Sequence, residues 1–534
     1  MEPIFAEEEK SVQAGLELFL RRRDLVLLAT GGLVCLRSIY QRAKAMGALA
    51  RFRYAVLRSE AYVLGTAEDE IRRAVCAAAA LSGARVVVVY LSCLDILTRP
   101  DFTAIEAQFS ETTGCVVRCF FRGPLAKADA MPHPSAAALL SSLPPEMGEV
   151  KAESALPPPM SDIAGISDLL RGASSANVLV TPSGCRRTLS RLDMMQGQAD
   201  VFAAIPRPED YIFGMEDTLA AEMEGLTRGG RYREVNLLTS PVPAFMALRE
   251  EEVLSAAADH LSCGRCFPAD GFQDAVSGAA SATLRIVREA APAWREATAT
   301  VLLIGYSELL VGDFAPFEEA AAYFASLGYR MRCVGRDALP ERPALVWEVS
   351  AVGESAAWWL HHTYGTPVVR SLPLGEAGRA AWKRAMRRAI AMGAAEETME
   401  EGGTVTGRAL RVLLIGDPVA MRAVGAVLCR HGLGQLSYAA YAWMEETARL
   451  YRQAAGEQEL LCFRSKEELQ AAWAAADVVV ADPCLLSAMG KKALLPLPMG
   501  FLSGREGAGT GSGVLGKAFA MRLWEFLRTC TANT

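Results

Sequence analysis

The chain has 534 residues, 51% of them hydrophobic and 22% charged, enough for three or four domains at roughly 150 residues each. A net charge of −6 removes any overall attraction to nucleic acid or anionic lipid and leaves room only for a local basic patch. No apolar run is longer than a strand, so no membrane span is expected. The acidic start, MEPIFAEEEK, lacks the basic and then apolar pattern of a secretory leader. Thirteen cysteines, an odd number, fit a reducing compartment with free thiols or metal ligands. A cytoplasmic protein is the expectation.

In chain order, short β-branched runs predict strands at Leu25–Ala29, Arg85–Leu91, Cys115–Phe120, Asn177–Thr181, Glu234–Thr239, Thr300–Tyr306, Ala344–Val349, Leu410–Gly416 and Asp477–Ala481. Ala-rich helical stretches separate them. Continuous apolar strands flanked by helices predict mainly parallel sheets covered on both faces, an α/β chain of several Rossmann-like domains. The Pro-rich stretch Pro144–Met160 reads as an extended connector, and Glu396–Gly407 as an acidic, Gly-rich linker. Cuts near 150, 295 and 400 give domains 1–150, 151–295, 296–400 and 401–534.

The first two domains read as copies of one another. LLATGGLVCLRS around Cys35 matches VLVTPSGCRRT around Cys185. Gly65 follows Cys35 by 30 residues, and Gly214 follows Cys185 by 29. A strand then ends at Ser92 in one copy and at Ser240 in the other. Arg118-Cys119-Phe120 finally matches Arg265-Cys266-Phe267.

Cys35, Cys93 and Cys185 each follow a predicted strand. In open α/β sheets, ligands bind in the crevice at the carboxyl ends of strands. Soft thiolates gathered there suit iron–sulfur chemistry. The competing reading is three small residues packed between sheet and helix.

Several segments resemble the nitrogenase component 1-like family. SGCRRTLSRLDM followed by EDYIFGMEDTL is similar to that family's Gly-Pro-x-Gly-Cys turn and its later Ile-Val-Phe-Gly-Gly segment. YLSCLDILTRPDFTAI, CFPADGFQDAVSGAA and LVWEVSAVGESAAWWLHHTYGTPVVRSLPLG resemble further family segments. The resemblance implies a [4Fe–4S] cluster held by Cys35, Cys93 and Cys185 between the two copies. It also implies electron delivery by a nitrogenase iron-protein-like, ATP-dependent reductase. A homodimer, or a heterodimer with a related subunit, is expected, with no nucleic-acid or membrane partner. Departures narrow this. The upstream cluster cysteine of each half is missing, and Pro241 stands where the other copy has Cys93. The fourth cluster ligand is unassigned. The positions of the iron–molybdenum cofactor ligands fall near Val349 and Ser512, so no such cofactor and no dinitrogen reduction are expected. The substrate is unassigned. The alternative is a non-catalytic carrier or assembly scaffold for a metallocofactor or small molecule, with the same fold.

Other signals read as structural. Gly511–Lys517 spells GSGVLGK, but Ala518 follows where a phosphate-binding loop needs Ser or Thr. The pair Cys263 and Cys266 lies on a predicted strand, not at a helix start where a reactive thiol is expected. His361-His362 reads as a helix face. Arg21-Arg22-Arg23 reads as a solvated helix end.

Overall fold

The computed structural model describes residues 2–3, 15–98, 101–121, 134–170, 175–182, 185, 201–207, 209–227, 232, 234–256, 263–393, 396–397, 410–433, 435–489, 493–496, 501–502, 514–515 and 517–532. Two compact units divide the chain: Met1–Ala164 with Ser174–Gln273, and Gly165–Ala173 with Asp274–Thr534. Each unit contains two sheets.

In the first unit, β1 (Glu2–Pro3) is a short edge strand. β2 (Leu25–Gly31), β3 (Phe52–Val56), β4 (Val86–Leu91) and β5 (Val116–Phe121) form one parallel sheet in the order β3-β2-β4-β5. β6 (Ser175–Val180), β7 (Val201–Ala204), β8 (Glu234–Leu238) and β9 (Cys263–Phe267) form the second in the order β7-β6-β8-β9. β1 pairs antiparallel with β7. The two sheets therefore share one strand order. They also share register: Cys119 lies opposite Val89, and Cys266 lies opposite Leu237. Ser92 and Ser240 each sit three residues beyond those partners, at the start of a short helix. Gly65 and Gly214 both take positive φ, 72° and 101°, between two helices. The landmarks matched in sequence occupy matching places.

Strand alternation explains the burial. Leu25, Leu27, Val86 and Val88 enter one apolar cluster with Phe19, Tyr40 and Phe52. Val26, Leu28, Val87 and Val89 enter another with Val75 and Phe109. Successive side chains of a strand point to opposite faces. Apolar residues at every position are needed only when helices cover both.

The Pro144–Met160 stretch contains neither helix nor strand, as expected, but it is no free connector. Its backbone ties to the first sheet domain through Val150 N–H to Arg23 O (2.9 Å) and Lys151 N–H to Ser82 O (2.8 Å). Tyr54 donates to Leu156 O at 3.0 Å. Residues 156–160 are buried. Pro157, Pro158 and Pro159 have no N–H to leave unsatisfied, which makes their burial cheap.

In the second unit, β10 (Ala297–Ile304), β11 (Arg330–Cys333), β12 (Arg342–Glu348), β13 (Val368–Arg370) and β14 (Glu396–Glu397) run parallel in the order β11-β10-β12-β13-β14. β15 (Arg411–Ile415), β16 (Gln435–Tyr441), β17 (Leu461–Phe463), β18 (Val478–Ala481) and β19 (Ala493–Pro496) run parallel in the order β17-β16-β15-β18-β19. The end of β12 carries a buried ion cluster. Arg370 contacts Glu348 at 2.7 Å and Glu354 at 2.6 Å. Among the described residues, no helix is long and apolar enough to cross a membrane.

Candidate cofactor crevice

The first copy closes its strand ends with a polar network centred on Asp95, which is 2% exposed. Ser92 and Asp95 form a capping box on the helix Cys93–Leu97. The Asp95 carboxylate accepts from Thr30 Oγ1 (2.9 Å), Tyr62 OH (3.0 Å), Ser92 N–H (2.6 Å) and Ser92 Oγ (2.8 Å). Four donors satisfy a buried anion with no cation in the set. Burial, and next the Asp95 charge, push the Tyr62 phenol well above its ordinary pKa. Tyr62 therefore stays protonated and donates.

The second copy keeps the tyrosine and the serine without that acceptor, and has Val180 at the register position of Thr30. Tyr211 precedes Gly214 by three residues, as Tyr62 precedes Gly65. Ser240 takes the place of Ser92. Three residues after Ser240 stands Pro243, where the first copy has Asp95. Ser240 is 1% exposed. The buried Tyr211 hydroxyl and Ser240 Oγ have no hydrogen-bond partner. Tyr211 is pushed up chiefly by burial, then by Cys185 and Cys93.

A seam joins the two copies within this unit. Val34 N–H donates to Gly271 O at 3.3 Å. Gly271 has φ +76°, and a Cβ there would meet Val34 Cγ1 at 2.6 Å and Pro241 Cγ at 3.0 Å. The Tyr62 ring lies 6.4 Å from Phe245 and 6.2 Å from Phe272. Helix Cys93–Leu97 packs against its counterpart, helix Pro241–Phe245. The Gly271 loop is held from behind by Asp162, which accepts from Asp270 N–H (3.1 Å) and Gly271 N–H (3.0 Å). Burial, and next the Asp270 carboxylate, push Asp162 well above the usual carboxylate range.

The three expected thiols all lie at strand ends of this unit. Cys35 is in the first turn of helix Leu33–Ala45 after β2 and is partly exposed. Cys93 begins the helix after β4 and is buried. Cys185 follows β6, donates its N–H to Pro182 O at 2.9 Å, and is partly exposed. Cys93 and Cys185, one from each copy, both act electrostatically on Tyr211. Cys35 acts on Tyr62. Among the described residues, no three His, Cys, Asp or Glu side chains form a group that could hold a metal ion.

Tyr62, Tyr211, Asp95, Ser92 and Ser240 are not among the expected site residues. Their signal was nonetheless present, in the shared Tyr-x-x-Gly of AYVLG and DYIFG and the Asp95–Pro243 mismatch. Of the remaining positions, Cys266 is buried on β9. Val349 is fully buried. His361 and His362 lie on helix Glu354–Tyr364 with exposed side chains. Arg22 corrects the solvated-end reading of the arginine triplet. It is only part-exposed, pairs with Asp24 at 2.7 Å and donates to Pro144 O at 2.7 Å. Ser512, most of GSGVLGK, residues 186–197 of the Cys185 segment and residues 398–407 of the acidic linker lie outside the described residues.

No family model matches the chain, and no curated protein does. Solved structures do. Two described as nitrogenase Cp1, at pH 6.5 and at pH 5, each share 11% identity with it at a TM-score of 0.48. They cover 70% and 72% of this chain and 89% and 91% of their own. A putative transcriptional regulator from Clostridium difficile 630 shares 10% identity at a TM-score of 0.17, over 45% of this chain and 65% of its own. The α/β assignment rests on the four parallel-stranded sheets themselves.

Proposed function

We propose that the protein is a carrier or assembly scaffold of nitrogenase component 1-like architecture. It would hold a small molecule or metallocofactor at the seam between its two matched N-terminal sheets. One observation carries this reading: strand ends of both copies meet, with Val34 N–H donating to Gly271 O at 3.3 Å and helix Cys93–Leu97 packed on helix Pro241–Phe245. Ligands of α/β sheets bind at such ends.

The strand-end thiols favour a second reading, a redox protein with a [4Fe–4S] cluster on Cys35, Cys93 and Cys185. The thiols are the right donors for iron. Their placement does not supply a three-ligand group for a metal ion among the described residues.

Either reading needs a partner protein, and the two copies present matched surfaces for one. Val63 and Leu64 are 74% and 73% exposed, and Ile212 and Phe213 are 77% and 85% exposed. Each pair directly precedes its landmark glycine. Each is followed by an acidic helix start, Glu68, Asp69 and Glu70 in one copy, Glu216 and Asp217 in the other. Exposed apolar groups repeated in this way suit a two-fold symmetric partner with two apolar hollows rimmed by Lys or Arg. A homodimeric iron–sulfur reductase is the proposed occupant.

Anaerobic purification separates the readings. A redox protein should contain stoichiometric iron, absorb near ~400 nm, and lose both in a Cys35→Ala/Cys185→Ala variant. A carrier should co-purify with a molecule detectable by mass spectrometry after denaturation and retain it in that variant. Protein holding neither iron nor a small molecule would overturn both.

A further inference from the structure

We propose that the middle and C-terminal sheets of the second unit meet at a proton-linked joint, closed by the buried carboxyl groups of Asp274 and Asp417 and loosened as the pH rises. The inference concerns the second unit alone and does not depend on the reading of the seam in the first.

The joint lies where strand ends of both sheets come together. Asp417 follows β15 and caps helix Pro418–Arg430, accepting from Val419 N–H (3.0 Å) and Ala420 N–H (3.4 Å) on one oxygen. Its other oxygen reaches the middle sheet and accepts from Ala351 N–H at 2.9 Å, in the turn Ala351–Gly353 that follows β12. Asp274 makes the same kind of bridge in the opposite direction. It caps helix Ala275–Ala290, which packs on that turn and on helix Glu354–Tyr364, and accepts from Ser277 N–H at 3.0 Å. It also accepts from Thr447 Oγ1 at 2.6 and 2.7 Å and from Met444 N–H at 3.3 Å, at the start of helix Glu445–Ala455 beside the C-terminal sheet. Each acid thus caps a helix on one side and holds a group on the other. Both acids, Ala351 and Thr447 are buried. Opening here would uncover the carboxyl ends of β12 and β15, the ends at which α/β sheets bind ligands.

The donors set the direction of the response. Each hydrogen bond to the two acids comes from a neutral N–H or hydroxyl. Arg422, on the helix that Asp417 caps, acts on Asp417 by its charge but donates to Ala454 O and Ala455 O. From helix Glu445–Ala455 the buried Tyr451 phenol senses both acids, with Cys462 of β17 also acting on it. The turn Ala351–Gly353 carries no ionisable side chain, and Glu354 after it is held by Arg370 at 2.6 Å. Burying an anion without a bonded cation costs more than burying the neutral acid. Closing the joint therefore takes up protons, and returning the carboxylates to water releases them. Burial pushes Asp417 up to about 6 and Asp274 above the usual carboxylate range, against the pull of their donors. The proton-linked part of closing is thus complete below the ordinary carboxylate range and lost as pH rises through the raised values. For Asp417 alone, a rise from 3.8 to about 6 changes the closing equilibrium by about a hundredfold.

Hydrogen exchange of the full chain, read by mass spectrometry and corrected for the intrinsic pH dependence of amide exchange, tests the joint. Peptides containing Ala351 and Met444 should open about a hundredfold more often at about pH 7 than at about pH 4, while peptides from β10 and β15 keep their protection. Asp274→Asn/Asp417→Asn keeps the size of both side chains and cannot titrate, so its joint peptides should open equally at the two pH values. Should the double variant fail to fold, Asp417→Asn alone should shrink the pH response at Ala351. The proposal is overturned if the joint peptides open equally at both pH values in the native chain. It is overturned too if β10 and β15 open in parallel with them, which marks a change in global stability, or if the variants keep the native response.

Discussion

Removing one oxygen from each of two matched tyrosines should have opposite consequences. Tyr62 donates to the buried Asp95 carboxylate at 3.0 Å. Tyr62→Phe deletes a hydrogen bond to a charged group, worth about 1.5–3 kcal/mol. The hydroxyl of Tyr211 is buried without a partner. Tyr211→Phe removes an unsatisfied polar group while keeping the ring, so the ligand-free protein should be unchanged or gain up to ~1–2 kcal/mol. The expected difference between the two variants is therefore roughly 1.5–5 kcal/mol from those ranges. Urea unfolding of the ligand-free chain, followed by far-UV circular dichroism, measures it. Equal losses in the two variants, or a larger loss for Tyr211→Phe, would refute the account of the seam.

Gly271→Ala forces a Cβ at φ +76° into Val34 and Pro241 and should cost about 1–3 kcal/mol, visible as a lower urea midpoint. Asp162, whose folded pKa is raised, contributes stability that is present at low pH and lost as pH rises through that raised value. Asp162→Asn should therefore flatten the fall in urea midpoint as pH rises above the ordinary carboxylate range, and an unchanged slope would count against the raised pKa of Asp162. Arg370→Met leaves Glu348 and Glu354 without their buried cation and should lower stability by about 3–5 kcal/mol in the same assay. Leu64→Asp/Phe213→Asp alters only exposed side chains and should shift the melting temperature little. It should nonetheless abolish co-sedimentation with an iron-protein-type reductase, and retained co-sedimentation would overturn the proposed docking surface.

Strands were legible where burial on both faces demands unbroken apolar runs. VVVVYL of β4 and RVLLI of β15 are such cases. β3, with sequence FRYAV, and β11, with RMRC, were not anticipated. They lie at sheet edges, where one side meets solvent and polar residues break the run. The duplication was legible because glycine and serine landmarks mark turns that both sheets need. The polar network was not, because its meaning depends on which donors share one acceptor across three separate segments. Thr30, Tyr62 and Asp95 lie tens of residues apart and meet only after the sheet forms. The Pro144–Met160 stretch is irregular, as its prolines imply, while its burial was not part of that reading. Proline marks the absence of regular structure but says nothing about exposure.

The mismatch between Asp95 and Pro243 bears on why two copies share one chain. A pair of identical subunits repeats every residue, so an acid at this place would appear on both sides or on neither. Fusion lifts that constraint. One half can use its donors to hold a buried acid, while the other drops the acid and leaves two buried hydroxyls unpaired. Two halves built on one strand order can thus differ in what their turns hold, with Asp95 in the helix that follows β4 and Pro243 in the helix that follows β8.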